Sequence, residues 1–76
     1  MTLTPEEITK QYNASLDSVN LINSVPPMGM TDAEWIDCIK RNVEHLKIMV
    51  NKDFWTDQDL TPLHEAIATG NALQSV

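Results

Sequence analysis

Residues 30–51 read MTDAEWIDCIKRNVEHLKIMVN, and this stretch decides the fold. Thr31 followed three positions later by Glu34 is a capping box, with Met30 and Trp35 placed on either side as a hydrophobic staple. From Asp32 to about Asn51 the spacing predicts one helix. At about 100° per residue, Cys38, Met49, Trp35, Leu46, Ile39, Val50, Val43 and Ile36 spread over an arc of about 160°. That arc is wider than a single neighbouring helix covers, so this helix must touch two other elements. The candidates are a helix before it and the C-terminal segment folded back upon it.

Upstream, Leu3-Thr4-Pro5-Glu6-Glu7-Ile8 carries the same grammar: an N-cap threonine, proline at the first helical position and glutamate three residues after the cap. A helix from Pro5 to about Ser24 follows, with Ile8, Tyr12, Leu16, Val19 and Ile22 in one apolar stripe. Val25-Pro26-Pro27 ends it, because a residue before proline is pushed out of the helical region. Pro26 to Met30, with Gly29, is a short connector that favours an antiparallel pair.

Downstream, Trp55-Thr56-Asp57-Gln58-Asp59-Leu60 looks like a third helix start with aspartate in place of glutamate. A helix begun at Asp57 would hold Pro62 inside it, where proline removes a hydrogen bond and clashes with an earlier carbonyl. The expectation is therefore a short turn at 57–60, then a new helix over 62–69 capped by Thr61. Leu60, Leu63 and Ile67 fall on one side, Gly70-Asn71 supplies the stop, and residues 71–76 form a tail. Only the caps recur among the three segments, so the chain does not read as a repeat array.

The expected fold is all-α: a small elongated helical hairpin with a third short C-terminal helix packed on it, a three-element bundle within one domain over 1–76. A globule of this length has a radius of gyration of roughly 11 Å, whereas helices of about twenty residues are about 30 Å long. Such a core is thin, and small bundles are commonly completed by self-association or a partner.

The chain has 76 residues, five Lys plus Arg and eleven Asp plus Glu, for a formal charge of −6, and its pI is about 4.5. That is the wrong sign for a protein that neutralises phosphates, so nucleic acid is not an expected partner. A single cysteine makes no internal disulfide. No signal-peptide pattern and no apolar run of membrane-spanning length occurs, so no membrane partner is expected and the chain reads as soluble and intracellular. The charge is uneven. Residues 1–30 sum to −2, residues 31–52 to zero, and residues 53–76 to −4 with no Lys or Arg.

Cys38, His45 and His64 are the soft potential metal ligands, and their spacing fits no zinc motif. Cys38 reads as a core thiol and His45 as a boundary residue. His64-Glu65 lacks the second histidine of the zinc-protease helix. Counting a calcium loop from Asp53 puts Gln58 where glycine is required and His64 where glutamate is required, so it fails. Acids in a first helical turn interact favourably with the macrodipole, which accounts for Asp57 and Asp59 as it does for Glu6, Glu7, Asp32 and Glu34. With two glycines, no nucleophile elbow and no phosphate-cradling loop, the chain is not expected to be an enzyme or to carry a cofactor.

Surface positions are better candidates. Asp37, Lys40, Arg41, Glu44 and Lys47 mark the solvent face of the second helix, with Asp37 and Arg41 at favourable spacing. Ile48 points into that charged face, and Asn42 interrupts the apolar arc, either as a register-setting residue would or, more commonly, as a boundary position. Phe54-Trp55 sit at the junction before the third helix, either as a core plug or as an aromatic anchor. The candidate partner contacts are Ile48, Asp53, Phe54, Trp55, Asp57 and Asp59.

The stretch Asn42–Val50, followed by Lys52-Asp53-Phe54-Trp55-Thr56, Asp59-Leu60-Thr61-Pro62 and Glu65-Ala66-Ile67-Ala68, resembles a segment of short bacteriophage proteins, most strongly those of marine and cyanobacterial phages. The string "DFWT…DLTP…AIA" carries most of the specificity. The resemblance covers about the C-terminal half and brings no assigned site. It implies a small protein made in the host bacterial cytoplasm with a virion-associated role, as a capsid or tail decoration or assembly subunit contacting other virion proteins or itself. Two alternatives stand beside it: an acidic host-takeover factor that blocks a bacterial protein, and an assembly chaperone.

Overall fold

A computed structural model describes residues 3–74. It contains α1 (Pro5–Ile22), α2 (Asp32–Val50) and α3 (Thr61–Gln74), each packed against the other two. Among the described residues there is no strand. The protein is a small all-α three-helix bundle, drawn out to 41 × 21 × 18 Å with a radius of gyration of 13.4 Å. The hairpin's length sets that elongation.

Both expected capping boxes close. Thr4 Oγ1 accepts from the Glu7 amide at 3.2 Å while the Thr4 amide donates to Glu7 Oε1 at 3.1 Å. Thr31 and Glu34 repeat the pair at 3.2 and 3.1 Å. Each box satisfies amides that a helix N-terminus leaves free. α1 stops at Ile22, short of the expected Ser24, since the Asn23 amide already turns back to Val19 and Leu21 and the Ser24 hydroxyl bonds the Leu21 carbonyl. α2 ends at Val50, and the Asn51 side chain donates to the Lys47 carbonyl at 2.8 Å. Between them the Met30 amide bonds the Pro27 carbonyl at 3.1 Å. Gly29 holds φ +90 there, the third position of a type II turn, which favours glycine.

Val19 and Ile22 of α1, Ile39, Val43, Leu46 and Met49 of α2, and Leu63 and Ala66 of α3 form the core. α2 packs against both of its neighbours, as its wide arc requires. Ile36 is the exception. It is 39% exposed, because it falls at the edge of the arc where neither neighbour reaches. Asn42 is half-buried, and its side chain donates to the Cys38 carbonyl one turn back rather than to another helix.

The last third departs from the sequence reading in three ways. Residues 57–60 form no helical turn: Gln58 Oε1 accepts from the Thr56 amide at 3.0 Å, two residues away, which holds the chain in a bend. Thr61 is not the cap of α3. The Leu60 carbonyl accepts the first helical bond, from His64, and Asp59 Oδ1 accepts from the Thr61 amide at 3.0 Å. Third, Gly70 does not stop the helix, which runs on to Gln74. Gly70 is buried against α2, and a Cβ built there would overlap Val43 Cγ2. The glycine serves close approach of two helices rather than a left-handed exit. The expected tail at 71–76 is thus helical as far as Gln74; its last two residues lie outside the described residues.

Candidate partner-binding groove

The segment between α2 and α3 folds across the N-terminal end of α1, and Tyr12 and Trp55 fix it there. Tyr12 lies in the aliphatic stripe of α1, and its hydroxyl donates to the Asp59 carbonyl at 2.7 Å across 47 positions of sequence. Its ring meets the Trp55 ring edge-on, with centroids 6.0 Å apart at 77°. Trp55 Nε1 in turn donates at 2.8 Å to the Met49 carbonyl in the last turn of α2, which also accepts from the Lys52 amide at 3.1 Å. Phe54 packs edge-on against Trp55 at 4.7 Å and 62°. Edge-to-face geometry suits the ring quadrupoles, and the polar tips of Tyr12 and Trp55 each find a carbonyl. The rings therefore fasten the loop to two helices at once.

Against this cluster lies a groove of about 630 Å³. Leu3, Pro5, Ile8 and Thr9 line it from α1 and the residues before it, and the loop from Asp53 to Gln58 lines it from the other side. Ile8 is buried, yet it stands outside the main core, so its burial belongs to this end of the molecule. Phe54 and Trp55 are half-buried, packing on the core while lining the groove.

The carboxylates differ in their surroundings. Asp59 takes hydrogen bonds from Thr61 that hold its carboxyl below the ordinary aspartate value, and it does not line the groove. Glu7 and Glu34 are lowered likewise by bonds from Thr4 and Thr31, the backbone bond first. Asp53 and Asp57 are exposed at the groove. Neither is among the hydrogen-bond acceptors or ion pairs of the described residues, where the one ion pair is Arg41 to Asp37 at 2.8 Å.

Of the candidate contacts, then, Asp53, Phe54, Trp55 and Asp57 come together along one groove. Asp59 caps α3 and, through its carbonyl, anchors the loop to Tyr12. Ile48 is 59% exposed on α2 and does not line the groove. The expectation that Asp57 and Asp59 both sit in a first helical turn is corrected: Asp57 lies in the bend and Asp59 just before α3. The wall formed by Leu3, Pro5 and Ile8 was not foreseen. Tyr12 was its one signal, since a phenol in an aliphatic stripe needs a polar partner from another segment.

A second, shallower hollow is lined by Met30, Glu34, Asp37, Cys38 and Arg41. Cys38 is half-buried, and His45 and His64 are exposed. Among the described residues no group of three or more His, Cys, Asp and Glu is placed to hold a metal ion, and no helix is long and apolar enough to cross a membrane. Compared with protein-family models, with curated proteins and with solved structures, the chain matches none.

Proposed function

We propose that this chain is a non-enzymatic structural protein of a bacteriophage particle, a small helical subunit associated with the capsid or tail that works through protein–protein contacts. One observation carries the reading. Asp53-Phe54-Trp55-Thr56, which opens the phage-like string, also lines the groove. Both rings pack on the core and also border an open surface. The thin core points the same way. Among the described residues the largest fully buried apolar side chains are Ile22, Ile39, Leu46, Leu63 and Val43, and small bundles of this kind gain stability from neighbours.

The partners under this reading are other virion proteins or further copies of the same chain, and the protein is made in the host cytoplasm. Mass spectrometry of purified virions tests it. The protein is expected in the particle in many copies, and its absence from washed virions rejects the reading.

Asp53 and Asp57, which have no partner among the described residues, favour a second reading, a host-takeover factor that occupies a basic surface of a bacterial protein. Charge-reversed Asp53 and Asp57 are the right control for capture from host lysate. Asp59 is left intact because its carboxylate caps α3. An assembly chaperone would instead be needed for particle formation and be missing from the finished virion.

A further inference from the structure

We infer that the groove between the start of α1 and the 53–58 loop is a docking site for an extended basic segment of another protein, with apolar side chains between its cationic groups. The inference rests on the protein-contact part of the reading above and not on where the protein resides. The floor and walls supply apolar contact through Leu3, Pro5, Ile8, Phe54 and Trp55. Aromatic anchors of this kind dominate binding energy when a partner excludes water from them.

Charge decides the occupant. Asp53 and Asp57 bracket Phe54 and Trp55 in sequence, border the groove, and have no partner among the described residues. The nearest basic residues in sequence, Lys52 and Lys10, neither line the groove nor form an ion pair. From residue 53 to the C-terminus the chain has no Lys or Arg. The potential at this end is therefore negative and open to a cation. Four residues of extended chain span at most about 14 Å, an upper bound on the separation of Asp53 and Asp57, so the matching basic groups lie no more than about four residues apart on an extended peptide. A second copy fits poorly. The most exposed apolar part of the described residues, Val25 and Met28 in the α1–α2 connector, lies in an uncharged stretch from Ser18 to Met30 that leaves both carboxylates unmatched. Each added copy also brings a further −6.

Three peptides test the inference on the intact chain: acetyl-RLPLR-amide, its charge-reversed form acetyl-ELPLE-amide, and acetyl-RSGSR-amide, which keeps the charge and drops the apolar contact. Amide chemical-shift changes in the labelled protein report both affinity and place. The first peptide is expected to shift Leu3, Ile8, Thr9 and residues 53–58, and to bind more tightly than either control. Binding is expected to weaken as added salt approaches ~1 M, where the screening length shrinks to about 3 Å. The variant D53N/D57N, changed at exposed positions only, is expected to keep its circular dichroism spectrum and to lose roughly three- to tenfold in affinity. Equal binding of all three peptides, shifts confined to another surface, or full affinity in D53N/D57N would overturn the inference. So would groove shifts that appear on concentrating the protein without peptide, since a second copy would then be the occupant. None of these outcomes bears on whether the protein is found in virions, and virion proteomics leaves the peptide result standing.

Discussion

Gly70 of α3 faces Val43 of α2 so closely that a methyl group at Gly70 would overlap the Val43 side chain. Ala66, one turn earlier, is also buried, so α3 offers a small-residue seam along which α2 approaches. Gly70→Ala sets two effects against each other. Overpacking a filled core costs about 1–3 kcal/mol, while replacing glycine inside a helix gains about 1 kcal/mol. The overlap is expected to win, giving a net loss of about 1 kcal/mol in urea unfolding. In a Val43→Ala background the overlap is gone, and Gly70→Ala should then stabilise. The same sign in both backgrounds would show that the two residues do not press on each other.

The two capping boxes lie at separate helix starts and should act independently. Thr4→Ala and Thr31→Ala are each expected to cost about 1 kcal/mol, and the double variant about the sum. Thermal unfolding followed by far-ultraviolet circular dichroism measures this.

Acid should weaken the fold through the same boxes. Glu7, Glu34 and Asp59 are held below their ordinary values in the folded state by hydrogen bonds to the charged form. The folded value being the lower one, the stabilisation is fully present above the unfolded values, near roughly 4. It is lost as pH falls through the folded values. Stability is therefore expected to be flat above about pH 5 and to decline below roughly pH 4. Glu7→Gln with Glu34→Gln should flatten that decline; an unchanged slope would assign the acid sensitivity to other groups.

Tyr12→Phe removes the hydroxyl that ties the 53–60 loop to α1. The expected loss is small, about 0.5–1.5 kcal/mol, since the freed Asp59 carbonyl is near solvent. The sharper readout is local. Amides of the loop should exchange faster with solvent and the near-ultraviolet aromatic signal should fall, while the core amides of α2 keep their protection.

Ile48 supplies a contrast on the opposite kind of surface. It is 59% exposed on α2, so Ile48→Lys should change stability by less than about 0.5 kcal/mol. It should also leave peptide binding in the groove unaltered. Reduced incorporation into virions by this variant would mark a second contact face.

What could be read from the chain follows the range of the forces involved. The starts of α1 and α2 were legible because a capping box is written within four residues, and the wide arc of α2 already implied neighbours on two sides. The third helix was misread where local grammar met tertiary packing. Thr56 has the residues of a cap, yet Gln58 bonds its amide first. Gly70 looks like a stop, yet helix contact with Val43 holds it inside α3. At the groove, Asp53, Phe54, Trp55 and Asp57 were legible as a local cluster of charge and rings. The opposing wall of Leu3, Pro5 and Ile8 was not, since contacts far apart in sequence bring the two segments together, the Tyr12–Asp59 bond spanning 47 positions and the Tyr12–Trp55 ring pair among them.

That wall has a practical consequence for handling the protein. Leu3 and Pro5 border the groove, so an affinity tag or fluorescent fusion joined at the N-terminus is attached beside the groove and is expected to compete with a docked segment. A fusion placed after α3 departs from the far end of a helix about 21 Å long, leaving the mouth clear. Bait and imaging versions of this protein should carry their labels at the C-terminus.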